Sequence, residues 1–421
     1  MSETPSDSIT WIKAILLDHL GVTCEHAQLV MKDTDQTHSM AVATYRLSLL
    51  GNSGSESANS SMEPAEFPLP QGINSVMMRV YPPGVSFQTE LTAMDIMYEA
   101  LTHAQKHLVP ILHRCGRDPN NDYGWTVCQD LPGVSVAQHF HQMTTGAQAR
   151  ILSQLADVLQ SIQDYDVPTT IEGFGAVEYD YLQGLVNSFI DPEQRGYSSL
   201  EVYHQTAMSF SLAQADTCGI ARGWHDNGVR ERLEVFMVKG IPAVLSHVTS
   251  RRKVLVHGAL MLSNLLFNPE THLLTGLTSF SHVHIGVLPS EFIASFSDIH
   301  GLVPGPQYLF EGPLGATEGT PEADAASELN LLRNSLLTKF PRKLPPNSAT
   351  VNWVLARMWD DELKGRRGGR SPAEVEGVAE LSGLYWIKGV ICGVGAGLEA
   401  DESGRERVEA GIVRYLESKG Y

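Results

Sequence analysis

The chain is predicted to be an α+β protein of two lobes, a small mixed lobe with an antiparallel sheet followed by a larger, mainly helical one. Three observations lead there. Its 421 residues exceed what one compact core serves and suffice for two lobes. Strand-like runs crowd the first third of the chain, and beyond Leu131-Pro132-Gly133 the apolar spacing becomes mostly helical. The link lies near Asp130, which sets an N-lobe of residues 1–129 and a C-lobe of residues 130–421.

Taken in order, Asp7 or Ser8 can cap a first helix carrying Trp11, Ile12, Ile15, Leu16 and Leu20, with Gly21 as its stop. A strand follows over Met40 to Leu50, where Tyr45, Leu47 and Leu49 alternate. Gly51 to Pro70 is a Ser/Gly/Pro/Glu stretch, read as a long flexible insertion joining two strands. Val76 to Tyr81 is the next strand, stopped by Pro82-Pro83-Gly84, and a helix is expected around Glu90 to His107. Leu108 to Leu112 and Trp125 to Cys128 complete the strands of this lobe.

In the second lobe, Ile151, Leu155, Val158, Leu159 and Ile162 fall on one helical face. Val229 to Lys239 reads as another helix. Val254 to Val256, Leu265 to Phe267 and Leu273 to Phe280 read as short strands, and Val303 to Ala325 as a surface loop rich in Gly, Pro, Glu and Ala. The last eighty or so residues read as helices.

Composition narrows the function classes. Hydrophobic residues make up 43% and charged residues 19% of the chain, an ordinary globular balance. A net charge of -18 argues against a nucleic-acid partner, which needs a basic footprint. The short basic run from Lys364 to Arg370 is glycine-rich and reads as a solvated loop. Five cysteines without a CxxC pair point to a reducing compartment with neither a disulfide frame nor a zinc ribbon. Met1 to Ser8 is polar and acidic, unlike a targeting segment. Leu384 to Leu398 contains Lys388 and four glycines, so it is not read as a membrane span. A cytoplasmic protein with no membrane association is expected; the oligomeric state is left open.

The motifs go further. Val254 to Phe267 (VLVHGALMLSNLLF) resembles the catalytic loop of the aminoglycoside phosphotransferase and choline kinase-like family, in its fungal type, which has a protein-kinase-like fold. The family pattern is a strand, His-Gly-Asp, four residues, Asn, and an apolar strand. His257, Gly258 and Asn264 keep their places, and Ala259 stands where the Asp belongs. Residues 273–281 are similar to the family's metal-binding strand, with Ser279 and Ser281 in place of its Asp and Glu. Arg79 falls where these kinases carry the cation that holds nucleotide phosphates, and Glu90 where they carry its acidic partner. Val127 to Gly133 is similar to the family's hinge, and Arg357 to Asp361 through Leu384 to Trp386 resembles its closing helices.

The resemblance implies a kinase fold whose chemistry has been removed. The loop Asp activates the acceptor hydroxyl, and losing a positioned base costs about 10²–10⁴ in rate. A serine hydroxyl is a poor ligand for the hard Mg²⁺ ion that phosphoryl transfer needs. The family's first hairpin turn should lie near Asp33 to Ser39, yet no glycine occurs between Gly21 and Gly51, so backbone N–H groups there are poorly placed to cradle phosphates. Thr34, Thr37 and Ser39 offer only hydroxyls. Arg79, Glu90 and Asn264 remain as candidates for binding a nucleotide-like group, although no cofactor and no metal is expected.

His282 and His284 form a His-x-His just after the lost metal strand. If both lie on a strand they share a face and can work together in proton transfer. A loop pair without a task is the plainer alternative. His139 and His141 form a second His-x-His at an expected helix start. Asp298 is the nearest downstream carboxylate, either a general base or the cap of a following helix. His257 is assigned a structural role. The resulting expectation is a small molecule bound in the interlobe cleft, with His282, His284 and Asp298 serving a cyclisation, isomerisation or elimination. A noncatalytic pseudokinase and a residual phosphotransferase are the rival readings.

Overall fold

The computed structural model describes residues 5–34, 41–50, 69, 72–83, 87–180, 184–187, 197–249, 251–305, 321–366, 370–391 and 402–421. Four expectations fall wholly or largely outside these residues: the first hairpin turn, the insertion over 51–68, most of the 303–325 loop, and the centre of the 364–370 basic run.

The N-lobe is an antiparallel sheet between two helices. Its strands are β1 (Cys24–Thr34), β2 (Ala41–Leu49), β3 (Ser75–Tyr81), β4 (Leu112–Arg117) and β5 (Gly124–Gln129), in the order β1-β2-β3-β5-β4. Helix α1 (Pro5–Leu20) lays Ile12, Ile15 and Leu16 on Leu47, Val76, Met78, Trp125 and Val127, one face of the sheet. It stops at Gly21, whose φ of 64° suits glycine, and the Val22 N–H reaches back to the Leu16 carbonyl at 3.3 Å. The Trp11 indole donates to Asp118 at 2.6 Å and fixes the helix to the β4–β5 turn.

Helix α2 (Gln88–Ala100) leads away from the other face. Its Ala93, Met94, Ile96 and Met97 join the large core of the second lobe, so one apolar mass runs from α2 into the C-lobe. The helix ends seven residues earlier than expected because a local turn wins: the Thr102 N–H and hydroxyl bind Gln105 Oε1 at 3.1 and 2.8 Å. The strand expected at 108–112 lies instead at 112–117, because Leu108 and Val109 are buried in the C-lobe core ahead of Pro110.

The C-lobe is mainly helical. After β6 (Val134–Ser135) come α3 (Val136–His139) and α4 (Thr145–Asp164), which buries the predicted face. Next are the hairpin β7 (Val177–Asp180) and β8 (Gly184–Asn187), then α5 (Leu200–Thr217), α6 (Val229–Val235) and α7 (Ile241–Leu245). The loop-bearing strands are β9 (Val254–Val256), β10 (Leu265–Asn268), β11 (Leu273–Leu277) and β12 (His284–Gly286). Helices α8 (Glu291–Ala294), α9 (Pro321–Leu337), α10 (Trp353–Lys364), α11 (Val378–Ile391) and α12 (Glu402–Ser418) complete the chain. Residues 321–325, expected in a loop, open α9. None of the described helices is long and apolar enough to cross a membrane.

Sheet pairing sets the position of the loop. β10 lies between β11 and β6, and β9 pairs with β12. The Leu131-Pro132-Gly133 turn delivers β6 to β10. Gly133 has φ of 115°, and a Cβ there would lie 2.4 Å from Thr275 Oγ1 and 2.6 Å from the Phe267 carbonyl. Only glycine fits so close an approach.

Candidate functional site

The loop from His257 to Asn264 hangs between β9, whose residues are all buried, and β10. Its path is fixed by residues that follow it in sequence. The Glu291 carboxylate accepts the His257 N–H at 2.7 Å and the Gly258 N–H at 3.0 Å, and also takes the Ser295 hydroxyl. The Leu260 N–H binds Ser295 Oγ at 2.8 Å, and the Leu262 N–H binds Asp298 Oδ2 at 2.6 Å. Gly258 has φ of 74°, and a Cβ there would come within 2.8 Å of the His282 carbonyl oxygen. The loop backbone is thus held by the side chains of the downstream segment.

Within this frame Ala259 is 3% exposed, a methyl at the centre of a fully built loop. The Asn264 amide donates to the Ala259 carbonyl at 3.0 Å. His257 is buried and neutral, its pKa pushed down to about 3, first by burial and then by the charge of His282. Its Nδ1 takes the Ala259 N–H at 3.3 Å, a bond to the backbone of its own loop.

The strand after the loop is shorter than predicted. β11 ends at Leu277, and the Thr278 N–H carries its pairing with β10 one residue further, to the Asn264 carbonyl at 3.1 Å. Ser279 is buried, Ser281 is exposed, and both lie beyond the strand. A phosphoryl-transfer metal would need hard anionic ligands. Asn264, Ser279 and Ser281 are neutral, so this donor set does not fit such an ion. Among the described residues no group of three His, Cys, Asp or Glu side chains comes together as a metal site.

The His-x-His expectation also changes. His282 sits exposed in a turn, and only His284 lies on a strand, as the first residue of β12. The shared-face argument therefore does not hold. His284 Nδ1 contacts the His282 carbonyl at 2.8 Å, and its ring stacks on Tyr203, centroids 6.3 Å apart. Burial lowers the His284 pKa, and the charges of His282 and Lys388 lower it further.

Asp298 holds the loop rather than capping its own helix. No hydrogen bond or ion pair joins it to His282 or His284 among the described residues. Burial raises its pKa against the pull of the Leu262 and Ser263 N–H groups. The second pair, His139 and His141, lies at the end of α3 and in the following turn rather than at a helix start, and both are exposed.

In the N-lobe, Arg79 on β3 and Glu90 on α2 do form an ion pair, largely shielded from water. The Tyr81 hydroxyl donates to the other Glu90 oxygen at 2.6 Å. Both cation and carboxylate lie on the sheet face that α2 covers.

Three buried polar atoms close to the loop lack a hydrogen-bond partner: His257 Nε2, His284 Nε2 and Asp298 Oδ1. Such orphans are rare in folded proteins and mark places where water or a ligand completes the structure. Sequence reading missed two sets of residues here. Glu291 carried a faint signal, a lone acid in the apolar run from Val283 to Ile293. The grouping of Tyr203, His204, Tyr385 and Lys388 beside His284 carried none, because 184 residues separate His204 from Lys388.

A family model described as the phosphotransferase enzyme family matches residues 71–286. Among solved structures, the chain is similar to the gentamicin complex of APH(2″)-IIa, at 10% identity and a TM-score of 0.48, covering 99% of this chain and 97% of that one. It is also similar to the GDP complex of wild-type aminoglycoside 2′-phosphotransferase-IIIa, at 12% identity and a TM-score of 0.43, covering 98% and 97%. Aminoglycoside phosphotransferase APH(3″)-Id from Streptomyces rimosus matches at 9% identity and a TM-score of 0.36, covering 84% and 96%. No curated protein matches the chain significantly.

Proposed function

The chain belongs to the phosphotransferase enzyme family, and from that premise we propose that it has given up phosphoryl transfer and acts on a small molecule in the interlobe cleft. It does so as a binding protein or as a non-phosphorylating enzyme of cyclase, isomerase or lyase type, in a secondary-metabolite setting. One observation carries this reading: the loop around Ala259, the residue that the resemblance sets in the place of the base, has its supports in place. A damaged kinase loop would be expected to lose its scaffold along with its chemistry. Here the scaffold is complete, and the groups that would activate a hydroxyl and hold a metal are a methyl and two serines.

In this role His282 is the exposed proton carrier at the edge of the loop. His284 and Asp298 each keep one unpartnered polar atom for a ligand. Thermal denaturation with ATP, with and without Mg²⁺, tests the proposal. No Mg²⁺-dependent shift is expected, and no phosphate should pass from radiolabelled ATP to any acceptor. Stabilisation by several degrees that requires both ATP and Mg²⁺ would overturn it.

A second reading has its own support in the Arg79–Glu90 pair, which is the arrangement a phosphate-holding cation needs. On that reading the chain binds a nucleotide without transferring its phosphate. Stabilisation by ATP that is indifferent to Mg²⁺ and lost in Arg79→Met would favour it.

A further inference from the structure

Lys388 lies on α11 in an otherwise apolar stretch, and its side chain meets α5 and β12. Its ammonium-bearing Nζ is 3.1 Å from Nδ1 of His204, which is itself 1% exposed. Nζ also lies 4.3 Å from the ring centroid of Tyr385 and 5.6 Å from that of Tyr203. Among the described residues no carboxylate pairs with it. The groups that face it are His204 and Tyr203 from α5, Tyr385 from its own helix, and His284 from β12. Glu291, whose charge acts on Tyr385, is already held by the loop backbone.

The tyrosine faces attract an ammonium, but no carboxylate among the described residues offsets its desolvation. Burial pushes the Lys388 pKa down to about 7. Burial also holds His204 well below its ordinary value, with the Lys388 charge adding to the effect, so His204 is neutral and presents Nδ1 as an acceptor. Tyr203 and Tyr385 are both held as phenols. The Tyr385 charge acts first on Tyr203, followed by burial, and burial dominates for Tyr385. The group is shielded but not sealed: Lys388, Tyr203, Tyr385 and His284 all keep partial exposure. A neutral amine hydrogen-bonded through one N–H to a neutral imidazole has its lone pair free for bond formation.

We propose that Lys388 is a carbonyl-reactive amine, and that this site binds a conjugated or aromatic aldehyde or ketone as a Schiff base. The walls select that class. The Tyr385 and Tyr203 rings lie 4.3 and 5.6 Å from Nζ, and Tyr203 in turn stacks on His284 at an interplanar angle of 17°. Those faces attract planar unsaturated carbon and repel anions, which rules against a phosphate or carboxylate ligand for the lysine. The step balances without a co-reactant. The Nζ lone pair forms a bond to the carbonyl carbon, and the carbonyl oxygen takes up a proton to give a carbinolamine. That hydroxyl then leaves as water, taking a second proton, while nitrogen gives up its two N–H protons through His204. The products are one imine and one water, with no change of oxidation state.

This inference deepens the small-molecule reading by naming its substrate class, and it rests on that reading only for the use of His284. Its test is chemical labelling of the full chain with acetylacetone, a diketone that forms a strongly ultraviolet-absorbing enaminone with neutral lysines, followed by peptide mapping. At pH 7 about half of Lys388 is uncharged, against about 1 in 10³ of an ordinary lysine of pKa ~10.4. Lys388 is therefore expected to react at least about tenfold faster than any other lysine, after allowance for the weaker nucleophilicity of a less basic amine. Its rate should rise through neutral pH and level off. The fast phase should vanish in Lys388→Arg, which keeps a cation but has no nucleophilic amine. Labelling spread evenly over exposed lysines, or a Lys388 rate still climbing at pH 10, overturns the proposal, and the wild-type map alone decides it if Lys388→Arg fails to fold. Phosphate transfer from ATP would sink the loss-of-transfer reading and leave the labelling result untouched, so the two failures can be told apart.

Discussion

The loop around Ala259 and the cluster around Lys388 meet at His284, yet they treat buried polar groups in opposite ways. In the loop, polar side chains bind the backbone: Glu291 holds two N–H groups, Asp298 holds one, and Asn264 donates to a carbonyl. In the cluster, side chains face other side chains, and among the described residues no carboxylate pairs with the Lys388 amine. The first arrangement stabilises one backbone path. The second costs desolvation with little return in stability, which is how reactive groups are often prepared.

The largest effect that would break this contrast is expected at Glu291. Glu291→Ala leaves the His257 and Gly258 N–H groups and the Ser295 hydroxyl without their acceptor in a site 2% exposed. A loss of about 3 kcal/mol or more is expected from urea unfolding, at about 1–3 kcal/mol for each buried group left without its acceptor. A loss under about 1 kcal/mol would mean that the loop is not held by this carboxylate, and the contrast would lose its first half.

The cluster should respond in the opposite direction. The Lys388 pKa is near 7 in the folded protein and near 10.5 when unfolded. Between those values the unfolded chain binds a proton that the folded chain does not, so this group makes stability rise with pH across that window. Lys388→Met removes the effect. The variant should exceed the wild type in stability at pH 6, and the difference should shrink as pH rises from about 7 toward 10, by at most about 1.4 kcal/mol per pH unit. Paired urea melts across that range check it. A difference that stays constant with pH would show Lys388 titrating as a surface lysine does.

Much of the scaffold was legible in the sequence because it is written locally. The apolar face of α4, the Leu131-Pro132-Gly133 turn and the spacing from His257 to Asn264 all lie within single short windows. Misses came where distant partners override a local pattern. β1 was passed over because it is an edge strand whose Leu29 and Val30 are half exposed, so its alternation is weak. α5 was missed because its buried row of Leu200, His204, Met208 and Leu212 is broken by a histidine that only Lys388 explains. In the sequence Lys388 served merely as the charge that interrupts an apolar stretch. The paired strand face expected for His282 and His284 failed because the chain turns at Ser281-His282, closed by the Val283 N–H on the Phe280 carbonyl at 3.2 Å, and β12 begins only at His284.

His282 gives the smallest and most discriminating effect. It is exposed in a turn, and what fixes the neighbouring Gly258 and His284 is its backbone carbonyl, not its ring. His282→Ala should therefore change stability by less than about 0.5 kcal/mol, as surface substitutions usually do. It should also relieve the charge that helps depress His257 and His284, so that both titrate at slightly higher pH in an NMR series. Loss of the cellular product with stability intact would place the exposed imidazole in the chemistry. A destabilisation above about 1 kcal/mol would make His282 part of the loop wiring, and the proton-transfer role would then have no group at the edge of the loop to carry it.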